Sequence, residues 1–320
     1  MAQADLSTTP KDRVLDRFGQ TGRTDSWWAG SLATALGLGA FIVYSTFRAL
    51  YNGEYDFGEA SQLLAGLEAA NQPTDKVASH AHLLSPFYSP TIIWPGMPKW
   101  LSPAFLILWA PGGFRLTCYY YRKAYYRAFF LDPAGCAVGE PSGLCGFKRG
   151  RDYKGETRML VFQNLHRYFL YVALAFIVLL YIDVVRSCMW PVLDESGQVT
   201  GHRFNISVSS LVLFTTTTLL ACYTFSCHSL RHLVGGKLNC FPDTAAGNLR
   251  HRLWMWVSSL NRNHMLFAWL SLFMVGFSDF YVWMVARGLP DTPCSSHFFQ
   301  SALSRQRQWT STKPMNTTWW

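Results

Sequence analysis

Five stretches of this 320-residue chain are apolar enough to cross a lipid bilayer, and this pattern constrains the fold more than any other feature. A helix rises about 1.5 Å per residue and needs about 20 apolar residues to cross the hydrocarbon core. Half of the residues are hydrophobic, and 13 Trp, 23 Phe and 15 Tyr are more aromatic surface than a soluble core needs. The sequence therefore predicts an all-α, polytopic membrane protein, a bundle of five transmembrane helices with spans near residues 27–50, 100–130, 166–187, 206–234 and 264–287.

The distribution of Lys and Arg predicts the orientation of the chain, because cytoplasmic loops of membrane proteins carry an excess of both. Four precede the first span, ten lie between Arg115 and Arg167, and five lie between Arg231 and Arg262, so that nineteen of the 28 fall on one side. The net charge of +9 is then explained by topology and not by a nucleic-acid partner. We expect a cytoplasmic N-terminal segment at 1–26, the five-helix anchor domain at 27–288, and a tail on the outer side at 289–320.

Two of the predicted helices continue beyond the membrane on the inner side. The second runs through Cys118 to Arg127 with helical composition, and the fourth continues from Ser229 to Val234. A Pro-Gly-Gly sequence at 111–113 lies within the second span, and we expect a kink there because proline removes a backbone hydrogen bond. No internal repeat is evident.

Cysteine and histidine side chains gather at the predicted inner ends of the helices. Polar side chains at membrane depth are costly unless they have a function, and thiols on the reducing side more often bind metal or stay free than form disulfides. Two thiolates with two imidazoles can hold a [2Fe–2S] centre of Rieske type, whereas a b-type haem between two histidines and a zinc ion with mixed ligands are alternatives. The side chains at this common depth are Cys118, Cys136, His166, Cys227, His228, His232 and His264, and the first six of them are the ligand candidates.

Several motifs resemble the cytochrome b-like membrane anchor of the actinobacterial type of succinate dehydrogenase or fumarate reductase, over residues 26–288. They are Cys118-Tyr-Tyr-Tyr-Arg-Lys-Ala-Tyr-Tyr-Arg127, Ala134-Gly-Cys136-Ala-Val138, Gly155-Glu-Thr-Arg158, Gln163-Asn-Leu-His166, Ser226-Cys227-His228-Ser-Leu-Arg-His232, and His264-Met-Leu-Phe-Ala-Trp269 with Asp279-Phe-Tyr281.

The resemblance implies a multi-pass subunit of the plasma membrane that holds an embedded Rieske-type [2Fe–2S] cluster. It also implies docking of a flavoprotein subunit and an iron–sulfur subunit on the cytoplasmic side, and electron transfer from succinate to menaquinone or another quinone. The complex could form a higher oligomer. The cluster ligands that it implies are Cys118, Cys136, His228 and His232, with Cys227 and His166 as close substitutes.

Quinone reduction requires positioned donors to a carbonyl oxygen, and we expect two quinone sites. Ordinary snorkelling of the arginines to lipid headgroups is the alternative on the inner side. On the outer side a buried carboxylate must be neutral, paired or in contact with water, and a salt bridge between Asp279 and Arg186 is the alternative there. The inner candidates are Tyr119, Arg122, Arg167 and His264, and the outer candidates are His82, Tyr88 and Asp279.

Other classes of protein fit parts of this pattern less well. A membrane di-iron oxygenase would use the histidines at 228 and 232 as an HxxxH pair, but it needs more histidines than the five predicted on the inner side. A transporter would need paired repeats and broken helices in both halves. No GxGxxG sequence at a strand-to-helix junction is present for flavin binding. We therefore expect a subunit of an enzyme and not a complete one.

Overall fold

The computed structural model describes residues 18–51, 56–57, 83–92, 94, 97–98, 100–131, 133–139, 159–193, 199–236 and 238–287. This part of the chain contains eight α-helices and two short antiparallel sheets of two strands each. The helices are α1 Ala29–Tyr51, α2 Pro103–Thr117, α3 Tyr119–Phe129, α4 Met159–Ser187, α5 Val208–Phe225, α6 His228–Gly235, α7 Ala245–Asn261 and α8 His264–Ala286. The strands are β1 Asp56–Phe57, β2 Leu83–Leu84, β3 Met189–Leu193 and β4 Val199–Phe204.

The mostly helical architecture fits the predicted all-α membrane protein. Within the described residues, four helical segments are long and apolar enough to cross a bilayer, and they coincide with the first, third, fourth and fifth predicted spans. Helix α2 has only 15 residues, or about 22 Å at 1.5 Å per residue, which is less than the hydrocarbon thickness. A fifth span and the side of each terminus stay predictions. The four segments are Ala29–Tyr51, Asn164–Ser187, Val208–Phe225 and His264–Ala286.

The second and fourth predicted spans are each interrupted at a cysteine. Cys118 separates α2 from α3, and Cys227 lies between α5 and α6. Both cysteines have extended backbone, with φ −63° and ψ 130° at Cys118 and φ −65° and ψ 136° at Cys227. The expectation that each helix continues unbroken past the membrane was therefore wrong. Pro111, where we expected a kink, lies inside α2.

Two predicted loops contain regular structure. Strands β3 and β4, in the expected outer loop at 188–205, pair antiparallel with Met189 opposite Phe204. Helix α7 lies in the expected inner loop at 235–263. Its first turn is capped by Thr244, whose hydroxyl accepts a hydrogen bond of 3.1 Å from the backbone N–H of Gly247.

The chain forms two compact units. Unit 1 comprises Met1–Tyr51, Leu108–Ala175 and Tyr223–Leu272, and unit 2 comprises Asn52–Ile107, Phe176–Cys222 and Phe273–Trp320. The buried core of unit 1 contains Leu38, Phe114, Cys118, Tyr121, Leu170, Tyr223, Cys227, Leu230, Val257, Ala268 and Leu272. The buried core of unit 2 contains Leu83, Val184, Leu213, Val282 and Val285.

Helices α2 and α4 approach closely in unit 1 at Gly113. A Cβ atom at this position would lie 2.3 Å from the ring of Phe169, whereas at Gly112 it would meet nothing within 4 Å. The close approach therefore favours glycine at 113, because any larger residue would have to displace the ring of Phe169. Phe169 follows His166 by three residues on α4, so this contact helps to fix the position of that histidine.

Candidate metal and quinone site

A cavity of about 640 Å³ in unit 1 brings together most of the predicted functional side chains. Five of the six metal-ligand candidates and three of the four inner quinone candidates lie in its wall. The metal-ligand candidates are Cys118, His166, Cys227, His228 and His232, and the quinone candidates are Tyr119, Arg167 and His264.

Each buried cysteine in the cavity wall contacts a histidine near the start of a different membrane-crossing segment. Cys118 Sγ lies 3.5 Å from Nε2 of His264, and Cys227 Sγ lies 3.0 Å from Nε2 of His166. Both cysteines are buried, as is His166, and His264 is half-buried. The two sulfur atoms thus form two pairs with imidazole nitrogens, Cys118 with His264 and Cys227 with His166. The pairs are called crossed because the residue before each cysteine bonds to the histidine of the other pair.

A hydroxyl group is hydrogen-bonded with the other nitrogen, Nδ1, of each of these two histidine rings. Thr117 Oγ1 is hydrogen-bonded with Nδ1 of His166 at 2.9 Å, and Ser226 Oγ with Nδ1 of His264 at 2.7 Å. A hydrogen bond at Nδ1 fixes the ring orientation and leaves Nε2 as the nitrogen for a metal, as is usual for metal-binding histidines.

The two halves of this arrangement share a local sequence pattern. An aromatic residue lies four positions before each cysteine, a hydroxyl residue one before it, and an arginine four after it. The aromatic ring stacks on the histidine of its own half, with centroid distances of 4.6 Å for Phe114 on His166 and 5.0 Å for Tyr223 on His264. The two segments are Phe114-Arg-Leu-Thr-Cys118-Tyr-Tyr-Tyr-Arg122 and Tyr223-Thr-Phe-Ser-Cys227-His-Ser-Leu-Arg231.

The two sulfur atoms and two imidazole nitrogens are of the kind that bind a metal cluster. They are not arranged as a preformed coordination sphere. In the part of the chain that the structure describes, no three Cys, His, Asp or Glu side chains form a ready-made metal site. Burial raises the pKa of the Cys227 thiol to about 11. A metal that binds Cys227 must therefore displace its proton, as thiol ligands generally require.

Two buried polar groups make no hydrogen bond of normal geometry among the described residues. They are the hydroxyl of Tyr223 and the guanidinium nitrogens of Arg122. The backbone N–H of Arg122 donates to the carbonyl of Cys118 at 2.9 Å, and its guanidinium lies 5.7 Å from the ring centre of Tyr119. Arg122 is not among the cavity-lining residues, so its predicted quinone role stays a prediction.

The other predicted ligands have different surroundings. Cys136 is exposed and does not line the cavity, and its carbonyl accepts a hydrogen bond of 3.0 Å from Arg23. His228 and His232 line the cavity but are exposed, and their Nε2 atoms are 3.1 Å apart, as expected for residues one helical turn apart.

Two of the three predicted outer quinone residues, Tyr88 and Asp279, lie in unit 2. Asp279 is fully buried and accepts a hydrogen bond from the hydroxyl of Ser85. Asp183, also buried, accepts one from Ser89 and lies 3.7 Å from the guanidinium of Arg186. One serine-rich segment therefore reaches two buried carboxylates.

The remaining outer candidates are two residues of the segment around these serines. Tyr88 is fully buried in unit 2. His82 lies outside the described residues, so its predicted role stays a prediction.

Comparison with known proteins decides the family. A family model described as "Actinobacterial succinate dehydrogenase subunit SdhC" matches residues 29–288. The chain belongs to this family. A solved structure of the "Mycobacterium smegmatis Sdh1 complex in the apo form" contains a chain 36% identical to this SdhC-family protein. The match covers 85% of this chain and 93% of that chain, with a TM-score of 0.64. A comparison with curated proteins finds no match.

This SdhC-family chain is accordingly a non-catalytic membrane subunit of a succinate dehydrogenase complex, and it associates with other subunits of that complex. The predictions of a membrane anchor, and of a component of an enzyme, are confirmed. Thr117, Ser226 and the stacked aromatic rings are parts of the site that were not predicted from the sequence. The repeated pattern around the two cysteines is the signal that could have found them.

Proposed function

We propose that this SdhC-family protein holds a Rieske-type [2Fe–2S] cluster and passes electrons from the iron–sulfur subunit of the complex to membrane quinone, with menaquinone as the expected species. The ligands would be Cys118, Cys227, His166 and His264. The observation that supports this proposal is the pair of crossed cysteine–histidine contacts, in which each histidine is fixed through Nδ1 and presents Nε2 to a sulfur.

This ligand set differs in part from the one that the sequence resemblance implies. Cys227 is favoured over Cys136 because it is buried in the cavity wall, whereas Cys136 is exposed and outside that wall. The histidines at 166 and 264 are favoured over those at 228 and 232 because a hydroxyl group anchors each ring and each ring faces a thiol.

When bound, the cluster would supply one-electron transfer between the iron–sulfur subunit and quinone. The chain's own residues do the rest. Thr117 and Ser226 orient the two imidazole rings, Phe114 and Tyr223 pack against those rings and exclude water from them, and the buried Cys118 supplies a thiolate. Because the ring nitrogens away from the metal are already hydrogen-bonded, the histidines lose little orientational freedom when the cluster assembles.

The contacts support mixed sulfur and nitrogen ligation over a bis-histidine haem. Each buried histidine faces a cysteine, and a haem site would use the two imidazoles without the two thiols. Zinc also accepts thiolate and imidazole ligands in a tetrahedral site. Metal analysis of the purified complex therefore has to include iron, zinc and haem.

Quinone binding belongs to the same proposal. Tyr119 and Arg167 are exposed side chains of the cavity wall and can donate hydrogen bonds to a quinone carbonyl. We place the second quinone site, or its proton path, at Tyr88 and Asp279, together with His82. The buried carboxylate of Asp279 supports this assignment, because such a group requires a functional or structural partner at membrane depth.

The predicted topology completes the proposal. Five spans would place the N-terminus and the docking surface for the flavoprotein and iron–sulfur subunits on the cytoplasmic side of the plasma membrane, and the C-terminus outside. The excess of Lys and Arg in the predicted inner segments supports this orientation.

The test is the iron, acid-labile sulfide, zinc and haem content of the purified complex, combined with paramagnetic resonance from which the signals of the partner's own clusters are subtracted. We expect a reduced [2Fe–2S] signal of Rieske character that is lost in Cys227→Ser and in His264→Ala. Cys136→Ser is the matched control and should retain the signal. A haem absorption spectrum without this signal would overturn the proposal, and loss of the signal in Cys136→Ser alone would return the ligand role to Cys136.

A further inference from the structure

We propose that the hydroxyl of Tyr223 donates a hydrogen bond to the thiolate of Cys118 in the cluster-loaded protein and thereby raises the reduction potential of the cluster. This inference rests on the proposed function and extends it to a residue that is not a ligand. It makes Tyr223 a positioning residue for electron transfer.

The ring of Tyr223 is held on several sides. It stacks on His264 at a centroid distance of 5.0 Å and an interplanar angle of 20°. It also meets the rings of Phe114 and Tyr121 edge-on, at 5.4 Å and 5.9 Å. Tyr223 is 1% exposed. The position of its hydroxyl is therefore set by packing, independently of any hydrogen bond that it makes.

The hydroxyl of Tyr223 makes no hydrogen bond of normal geometry within the described ranges, but it lies close enough to the thiol of Cys118 to interact with it. A buried hydroxyl without a partner is costly, and such groups usually have a functional reason. A neutral thiol is a weak acceptor, whereas an ionised sulfur accepts strong, charge-assisted hydrogen bonds. Metal binding ionises Cys118 and so creates the acceptor that the hydroxyl lacks.

Arg115 strengthens this donor. Its guanidinium lies 4.8 Å from the ring centre of Tyr223, and its own N–H groups donate to the hydroxyl of Tyr121, to the carbonyl of Ala268 at 3.2 Å and to Ser271 Oγ at 3.0 Å. A cation over the face of an aromatic ring is attracted by its electron density. The positive charge draws density from the phenol and makes the hydroxyl of Tyr223 a better donor.

A hydrogen bond to a ligand sulfur favours the reduced cluster, because reduction adds negative charge that the sulfur atoms share. The two segments of the local sequence pattern differ in this respect, because only one of them has an aromatic residue with a hydroxyl at the matching position. Phe114 occupies in the first segment the position that Tyr223 occupies in the second, and it has no hydroxyl. Cys118 therefore has an aromatic hydroxyl donor for which the Phe114 position offers no counterpart.

The experiment is a redox titration of the Rieske signal by paramagnetic resonance in the purified complex. The variants are Tyr223→Phe and, as the matched control, Tyr121→Phe, whose hydroxyl already donates to the carbonyl of Ala268 at 2.6 Å. We expect Tyr223→Phe to keep the signal intensity and to lower the midpoint potential. A tenfold change in the ratio of reduced to oxidised cluster corresponds to 59 mV for a one-electron couple. Tyr121→Phe should shift the midpoint potential less than Tyr223→Phe does.

A second measurement separates a direct hydrogen bond from a structural effect. After exchange into deuterated water, pulsed resonance should detect an exchangeable hydron coupled to the cluster in the original protein and not in Tyr223→Phe. The stability of the variant should not fall, because no hydrogen bond of normal geometry is removed. An unchanged potential and coupling in Tyr223→Phe, or a variant that assembles without the cluster, overturns this inference. Absence of the signal from the original protein overturns the proposed function instead.

Discussion

Replacing Gly113 by alanine should weaken the packing of α2 against α4, and the size of the effect follows from one contact. The added methyl group would lie 2.3 Å from one ring carbon of Phe169 and 2.4 Å from the next. Carbon atoms pack at about 3.5–4.0 Å, so the ring or a helix has to move by about 1 Å or more. Overpacking of this kind costs about 1–3 kcal/mol.

Gly112→Ala is the matched control for this prediction. Both substitutions improve helix propensity by about 1 kcal/mol, but an alanine at 112 meets nothing within 4 Å. The two variants should therefore differ in stability by the overpacking cost alone, about 1–3 kcal/mol. The measurement is the thermal unfolding midpoint of the detergent-solubilised complex, with the alanine variant at 113 unfolding at the lower temperature.

The same contact predicts a recovery that tests the reasoning directly. Replacing Phe169 by leucine in the Gly113→Ala background removes the ring that the methyl group meets, and we expect part of the lost stability to return. Equal unfolding midpoints for the alanine variants at 112 and 113 would show that α2 and α4 do not approach as described.

Two further predictions concern buried polar contacts. Asp279→Asn should slow quinone reduction while the complex still assembles, because the amide keeps an acceptor for Ser85 but cannot ionise; undiminished turnover at normal yield would remove Asp279 from the quinone or proton path. Asn261→Ala should lower the thermal unfolding midpoint, because the Asn261 amide donates to the carbonyl of Ser226 at 2.7 Å and an unpaired buried carbonyl costs about 1–3 kcal/mol. An unchanged midpoint for the Asn261 variant would mean that water replaces this donor at no cost.

Hydropathy predicted the four helices that are long and apolar enough to cross a bilayer, because the cost of burying polar groups in lipid acts on each segment separately. The candidate site was also predictable in outline. Cysteine and histidine are costly at membrane depth, so their presence at the predicted inner ends of the helices pointed to a common site. The cavity wall brings five of those six candidates together.

The helix interruptions could not be predicted from local sequence. The residues around Cys118 and Cys227 have helical composition, and the contacts at the breaks come from distant parts of the chain. Thr117 bonds with His166 on another helix, and the carbonyl of Ser226 accepts from Asn261. Because these contacts are tertiary, they override the local preference for a continuous helix.

Which cysteines lie beside a histidine could not be predicted from the sequence for a related reason. Spacing along the chain indicates which thiols have similar depth, but it does not indicate which of them face a histidine. Cys136 and Cys227 looked equivalent by that criterion. Helix packing separates them, because it buries the second beside His166 and leaves the first exposed.

The single extended residue at each interruption allows the helices before and after it to face different surroundings. An α-helix turns about 100° per residue, so an unbroken rod would force the lipid-facing pattern of α5 to continue through α6 in the same register. The extended backbone at Cys227 resets that register. The span can therefore keep an apolar surface for the bilayer, while the short helix that follows turns a different, polar surface towards the cavity. The same separation applies at Cys118, so the lipid-facing surface of a span and the side chains of the cavity wall can change independently in both pairs of helices.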